Sequence, residues 1–326
     1  MSFTNASSVR AVCLAWAIAW APLVRRSMRV HRSCTRVTGA AGVAALTFVA
    51  LMNVSRAPRL GRAPAPWLEA LVIGSTTRQA YLDVVDTFVA RSLPTHVFTE
   101  ADVAPCRLCS DRDAWRSPPY ETFGQDLDVH IWADRPDGWW CAQARPSAAL
   151  ATFLRLRATA PLPRFLLVMD DDTWVHLDRL RALLLDVERE HGWQTPLYLG
   201  FTGHQFRDGP APPPFCYGGA GYVLNAAALL ALRAPKPGSR RSWLDTCNAW
   251  KAGGKWCHYH SDWVVGQCLA QAANASCAWR LARDLFVQAV GDAPGDVARC
   301  MAEKVGCHGR LSAAELVQGY TATATG

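Results

Sequence analysis

The first 68 residues of this 326-residue chain contain no aspartate or glutamate, and the first acidic side chain is Glu69. Nine arginines stand in that stretch (Arg10, Arg25, Arg26, Arg29, Arg32, Arg36, Arg56, Arg59 and Arg62), so the net charge of +7 is gathered at one end. The remainder carries 25 basic against 27 acidic groups. That near-neutral balance excludes the broad basic footprint of a nucleic-acid-binding domain. No G-x-G-x-x-G dinucleotide fingerprint is present. Cys106 and Cys109 form a C-x-x-C, but no second one follows at finger-like spacing, which counts against a zinc finger. The sequence CHYH, with Cys257, His258 and His260, keeps zinc as the alternative to disulfides.

Ionised side chains are also absent from Val37 to Val54, VTGAAGVAALTFVALMNV, whose 18 residues are near the lower limit for crossing a bilayer. Five arginines from Arg25 to Arg36 precede it. The positive-inside rule then gives a cytosolic segment 1–36, a signal anchor at 37–54, an extended linker at 55–66 and a domain at 67–326 across the membrane. A cleaved signal peptide, with AVCLAWAIAWAPLV as its apolar core, or a disordered leader is the other reading. Ten of the twelve cysteines lie beyond residue 100, an even number that fits disulfides in an oxidising lumen. Asn274-Ala275-Ser276 is an N-glycosylation sequon.

From Trp67 the pattern alternates. Leu71 to Ile73 reads as a strand, an amphipathic helix runs through Ala90, and His96 to Thr99 reads as a second strand, together a βαβ unit. Ser75, Thr76 and Thr77 fall at the helix start, where hydroxyls and free amides suit a phosphate or sugar hydroxyl; simple capping explains them equally well. Further strands are expected at LDVHIWA, FLLVMD and PLYLGF, with a helix from Pro146 to Ala160. This alternation favours an α/β fold with a mostly parallel central sheet and flanking helices. FCYGGAGYVLNAAALLAL leads into a helix capped by Asn225, and its Gly218, Gly219 and Gly221 either bring backbone close to a ligand or make a tight turn. Ser261 is placed to cap a later helix with Asp262 in its first turn, where the dipole favours an acid without any function.

The segment FLLVMDDDTWVHLDRL, Phe165 to Leu180, drives five large apolar residues into three carboxylates. The acids therefore sit at a strand end, the usual address of a ligand in an open α/β sheet. In extended chain alternate side chains share a face, so Asp170 and Asp172 can converge on one cation while Asp171 points elsewhere. Mg²⁺ or Mn²⁺ suits such oxygen ligands and completes its shell with phosphates and water. The competing reading is an exposed acidic turn capping the next helix.

Taken in order, Ser75-Thr76-Thr77, THVFTE, VMDDDTWVHL, CYGGAGYVLN and SDWVVG resemble the fringe-type β-1,3-glycosyltransferases and the related enzymes that build core O-glycans. The resemblance runs from about Leu71 to Trp279. It implies a GT-A-type nucleotide-diphosphosugar transferase fold behind a type II membrane anchor, in the Golgi or endoplasmic reticulum lumen. It further implies an Mn²⁺- (or Mg²⁺-) dependent inverting transfer of a hexose or N-acetylhexosamine from a UDP-sugar to a glycan or glycoprotein acceptor. Carried over by motif, Asp170, Asp171 and Asp172 become the metal and nucleotide-sugar acids, with Asp172 the most direct ligand. Ser75, Thr76, Thr77 and Arg78 contact the nucleotide-sugar, Gly218, Gly219, Ala220 and Gly221 border the donor and acceptor sugars, and Asp262 is the base. The sequence departs from the pattern in two places. Where the family supplies a late metal-binding His, LFVQAV has Val287 and Gln288, leaving His258, His260, His308 or water to complete the shell; and Ser261 replaces the first acid of a frequent pair. A catalytically silent sugar- or partner-binding relative and a metal-dependent phosphohydrolase are the rival functions.

Overall fold

A computed structural model of the chain describes residues 65–102, 144–201, 215–252, 261–278, 286–288, 295–309 and 311–324, with Ala142 and Leu281. Contacts divide the chain into units 1–63 and 64–326, and every described residue lies in the second. The apolar stretch 37–54, the expected strand at LDVHIWA, the C-x-x-C and CHYH all lie outside the described residues. Among the described residues no helix is long and apolar enough to cross a membrane.

Five strands form the main sheet: β1 (Leu68–Ile73), β2 (Thr95–Phe98), β3 (Phe165–Asp170), β5 (Tyr198–Gly200) and β6 (Tyr222–Asn225), in the order β2-β1-β3-β6-β5. The first βαβ unit forms as expected, with β1 parallel to β2 and to β3. Between β1 and β2, helix α1 (Gln79–Val84) runs on into a π-helical turn, Val85–Val89. The sheet is more mixed than the sequence suggested. β6 is antiparallel to both β3 and β5, so four strands share a direction and one runs against them. GYVLN was read only as the approach to a helix; its alternation is too short to announce a strand, yet all four β6 residues are buried, between β3 and β5.

The runs in β1 and β3 are continuously apolar because both faces are covered. Leu71, Ile73, Leu166 and Val168 pack with one group of helices: α2 (Arg145–Leu156), α4 (Ala226–Arg233), α5 (Trp243–Ala252) and α6 (Ser261–Ala273). Ala70, Val72, Leu167 and Met169 face α1, α3 (Leu177–His191) and the C-terminal α7 (Asp296–Glu303) and α8 (Ala313–Ala324). Asn225 caps α4 as expected, its side chain accepting from the Ala228 amide. One charge breaks the pattern in β1. Glu69 is fully buried, and its carboxylate accepts from Arg157 Nη2 at 2.6 and 2.8 Å with His96 Nε2 at 3.0 Å.

A second, small sheet in the order β4-β8-β7 consists of β4 (Trp174–Val175), β8 (Gly306–His308) and β7 (Phe286–Gln288). Three disulfides lie among the described residues: Cys216–Cys277, Cys247–Cys268 joining α5 to α6, and Cys300–Cys307 joining α7 to β8. Disulfides are thus the cysteine chemistry of these six residues.

Candidate functional site

Register brings the marked segments to one edge of the main sheet. Ile73 lies beside both Phe98 and Asp170, so the Gly74–Thr77 loop, Glu100 and the acid run all leave the sheet together. β6 is reversed, with Tyr222 opposite Val168, so the glycine turn enters at this same edge. The small sheet adds the last element: Trp174 pairs with Cys307 antiparallel, and one step further along sets Thr173 against His308. The strand end is therefore built from five separate stretches of chain.

Asp170, Asp172 and His308 offer one ligand atom each within 4.8 Å of one another. Strand alternation put the first two on one face, and the structure brings them together. The imidazole comes from His308, on the strand neighbouring β7, whose Gln288 lies beside it in register; the position where a late His was missing is thus next to a His that the fold supplies. Asp171, counted with the metal acids in the sequence, is directed elsewhere: its Oδ1 pairs with Arg78 Nη1 at 2.8 Å. Arg78 Nη2 also donates to Asp172 Oδ2 at 3.0 Å, and its guanidinium lies over the Tyr81 ring. Asp171 Oδ2 is buried without a hydrogen-bond partner, and Asp172 Oδ1, also buried, has only the ion pair with His308 Nδ1 at 3.2 Å. None of the acids caps α3, whose N-cap is His176 without a side-chain bond, so the capping alternative does not describe them.

The charges are strongly coupled by burial. Burial raises Asp170 to about 7, with Asp172 adding repulsion. Burial also raises Asp171, to about 6, against the pull of Arg78. Burial would raise Asp172 as well, but His308 and Arg78 outweigh it and hold that carboxyl below its ordinary range. For His308, burial favours the neutral ring and the facing Asp172 and Asp170 overcome it, so its pKa is raised. Two carboxylates and an imidazole offering one ligand atom each in so small a space have the donor chemistry of a divalent-cation site.

The glycine turn connects this cluster to Asp262. A Cβ on Gly219 would stand 2.7 Å from His308 Nε2, and one on Gly218 would stand 3.1 Å from Asp262 Cβ. Gly221 has φ +82°, a conformation that favours glycine, and its amide closes the turn on the Gly218 carbonyl. Ala220 is buried in the core. Asp262, in the first turn of α6, is 6% exposed; its Oδ2 accepts from the Gly218 amide and its Oδ1 from the Trp263 amide, both at 2.8 Å. Burial pushes this carboxyl up to about 6, partly countered by those two amides and by Lys251. Lys251 is itself pushed down to about 8 by burial, and Asp262 opposes the shift. Trp243 and Trp250 pack against the core and Trp263 stacks near Phe215, so these tryptophans serve packing.

The loop Ser75–Thr77 departs from the capping reading. Helix α1 is capped at Arg78 with no side-chain bond, so the hydroxyls do not cap it. Instead Glu100 Oε1 accepts from the Thr76 amide and hydroxyl and from Ser75 Oγ, while Arg145 bonds Glu100 Oε2 and the Gly74 carbonyl. Thr77 Oγ1 bonds Ser75 Oγ. Glu100 and Arg145 were not singled out in the sequence, although THVFTE places Glu100 just past a strand end, where the ligand-crevice rule looks. Asn274 is exposed, in a left-handed conformation, at the end of α6.

Neither a known protein family nor a curated relative matches this sequence. Among solved structures, the chain is similar to galactosyltransferase LgtC in complex with donor and acceptor sugar analogs, at 12% identity and a TM-score of 0.36, over 78% of this chain and 95% of that one. A likeness at that score decides neither fold nor activity.

Proposed function

We propose that the chain is a metal-dependent glycosyltransferase that moves a hexose or N-acetylhexosamine from a UDP-sugar to a glycan or glycoprotein acceptor, forming a β-1,3 linkage. One observation carries the reading: Asp170, Asp172 and His308 converge at the sheet's ligand edge, in contact with a glycine turn that leads directly to a buried carboxylate, Asp262. The motif order resembling fringe-type enzymes supplies the reaction class.

In this reading Asp170, Asp172 and His308 hold Mn²⁺ or Mg²⁺, and the ion when bound offsets charge on the departing diphosphate. Arg78 neutralises Asp171 and Asp172 and lies on the donor side of the cluster. Ser75 to Thr77, fixed by Glu100, shape the nucleotide end. Gly218 and Gly219, having no side chain, leave room for sugars beside Asp262. Asp262 takes the acceptor hydroxyl proton; a pKa near 6 leaves it ionised at neutral pH and close enough to be an effective base. The stretch 37–54 anchors the chain in a Golgi or endoplasmic reticulum membrane with residues 67–326 in the lumen, and Asn274 carries a glycan there.

Incubating the full chain with Mn²⁺ and a panel of UDP-sugars, with and without glycan acceptors, tests this directly. Acceptor-stimulated UDP release from one donor is expected. A second reading, sugar binding without transfer, is favoured by the commitment of both Asp262 oxygens to backbone amides. Donor binding with no release under any acceptor would select it.

A further inference from the structure

Thr173 stands between two parts of the site without being one of its expected residues. It is 1% exposed, and its hydroxyl oxygen lies 3.0 Å from the Gly219 carbonyl oxygen and 3.2 Å from His308 Nδ1. A hydroxyl has a single proton and a carbonyl can only accept, so that proton goes to Gly219. What Thr173 presents to His308 is then a lone pair, matched by a proton on Nδ1, which leaves Nε2 as the nitrogen able to take a cation. Asp172 Oδ1, at 3.2 Å from Nδ1, is also an acceptor. The ring is held from the Nδ1 side by the hydroxyl, and Gly219, having no Cβ, leaves Nε2 uncovered, since a Cβ there would stand 2.7 Å from it.

We propose that Thr173 is the positioning residue of the Asp170–Asp172–His308 group, its hydroxyl fixing the tilt of the His308 ring toward the two acids while tying the Gly219 turn to that ring. This rests on the reading of the group as a cation site. Thr173 is not a ligand and touches no substrate. Its part is the one that partners behind metal-binding imidazoles play, where their loss typically lowers metal affinity about 10–100-fold. β4 and β8 are short strands of two and three residues, and the hydroxyl adds a side-chain tie beside their pairing.

The test is Mn²⁺ binding by the full chain without nucleotide, read from loss of the free-ion electron paramagnetic resonance signal. Thr173→Val keeps the shape and removes the hydroxyl; Thr173→Ser keeps the hydroxyl and removes the methyl. The expected result is a roughly 10–100-fold weaker Kd for Thr173→Val, with native circular dichroism, and a Kd within about threefold of wild type for Thr173→Ser. If the valine variant fails to fold, Thr173→Ala, which puts less apolar bulk against the two polar neighbours, takes its place with the same expectation. Equal Kd in wild type and a folded variant lacking the hydroxyl overturns the positioning role alone. Weakening by serine as much as by valine also overturns it, because the methyl would then be what matters. Absence of Mn²⁺ binding in wild type overturns the cation-site reading, and the inference with it.

Discussion

Gly219→Ala places one methyl group where the site has no room. The built Cβ lies 2.7 Å from His308 Nε2, 3.1 Å from His308 Cδ2 and 3.1 Å from Tyr217 Cε1. Ordinary contacts begin near 3.5 Å, so one ring must retreat by roughly 0.5–1 Å. Neither ring retreats freely. His308 follows Cys307, disulfide-bonded to Cys300, and Tyr217 follows Cys216, bonded to Cys277. Overpacking of this kind costs about 1–3 kcal/mol, and about 1.4 kcal/mol of it falling on the His308 position weakens metal binding tenfold. Gly219 does not have a positive φ, so alanine is acceptable to the backbone and the effect is steric. Titrating wild type and Gly219→Ala with Mn²⁺, alongside thermal melts, should give about tenfold weaker affinity with a modest fall in Tm. Wild-type Mn²⁺ affinity in the folded variant would refute the claim that His308 and the turn share one packed site.

Asp262→Asn should keep UDP and Mn²⁺ binding but lower kcat by about 100-fold or more. A base must be ionised, and burial puts this carboxyl near 6, so wild-type kcat/KM should fall as pH drops through about 6; a flat profile down to pH 5 would remove Asp262 from the mechanism. Glu69→Ala leaves Arg157 without its buried partner and should cost about 3–5 kcal/mol in urea unfolding. Glu69 pairs with Leu166, at the other end of β3 from Asp170, so Mn²⁺ affinity should not change. Replacing Cys300 and Cys307 together by alanine opens a short loop, for a loss of about 2.5 kcal/mol by chain entropy in denaturant melts.

Much of the site edge was legible because it depends on local pattern. Five apolar residues before three acids announced a doubly covered strand with carboxylates at its end, and period-two alternation separated Asp170 and Asp172 from Asp171. Asn225 before an alanine- and leucine-rich run announced its helix. What could not be read depends on register between distant segments. His308 meets the acids only because β8 pairs with β4 across more than 130 residues, and nothing local in VGCHGR distinguishes it from His258 or His260. Glu100 and Arg145 meet the Ser75 loop through the same kind of long-range placement. The reversal of β6 was hidden for a different reason: four buried residues behind a glycine turn carry too little periodicity to declare a direction.

A cation site of Asp170, Asp172 and His308 that serves a UDP-sugar makes nucleotide binding depend on the metal. Calorimetric titration of UDP into wild type and Asp172→Ala, each with Mn²⁺ and with EDTA, measures it most directly. The expected result is UDP binding to wild type that disappears with EDTA and is lost in Asp172→Ala even at saturating UDP and limiting Mn²⁺. UDP affinity that is the same in all four titrations would contradict it.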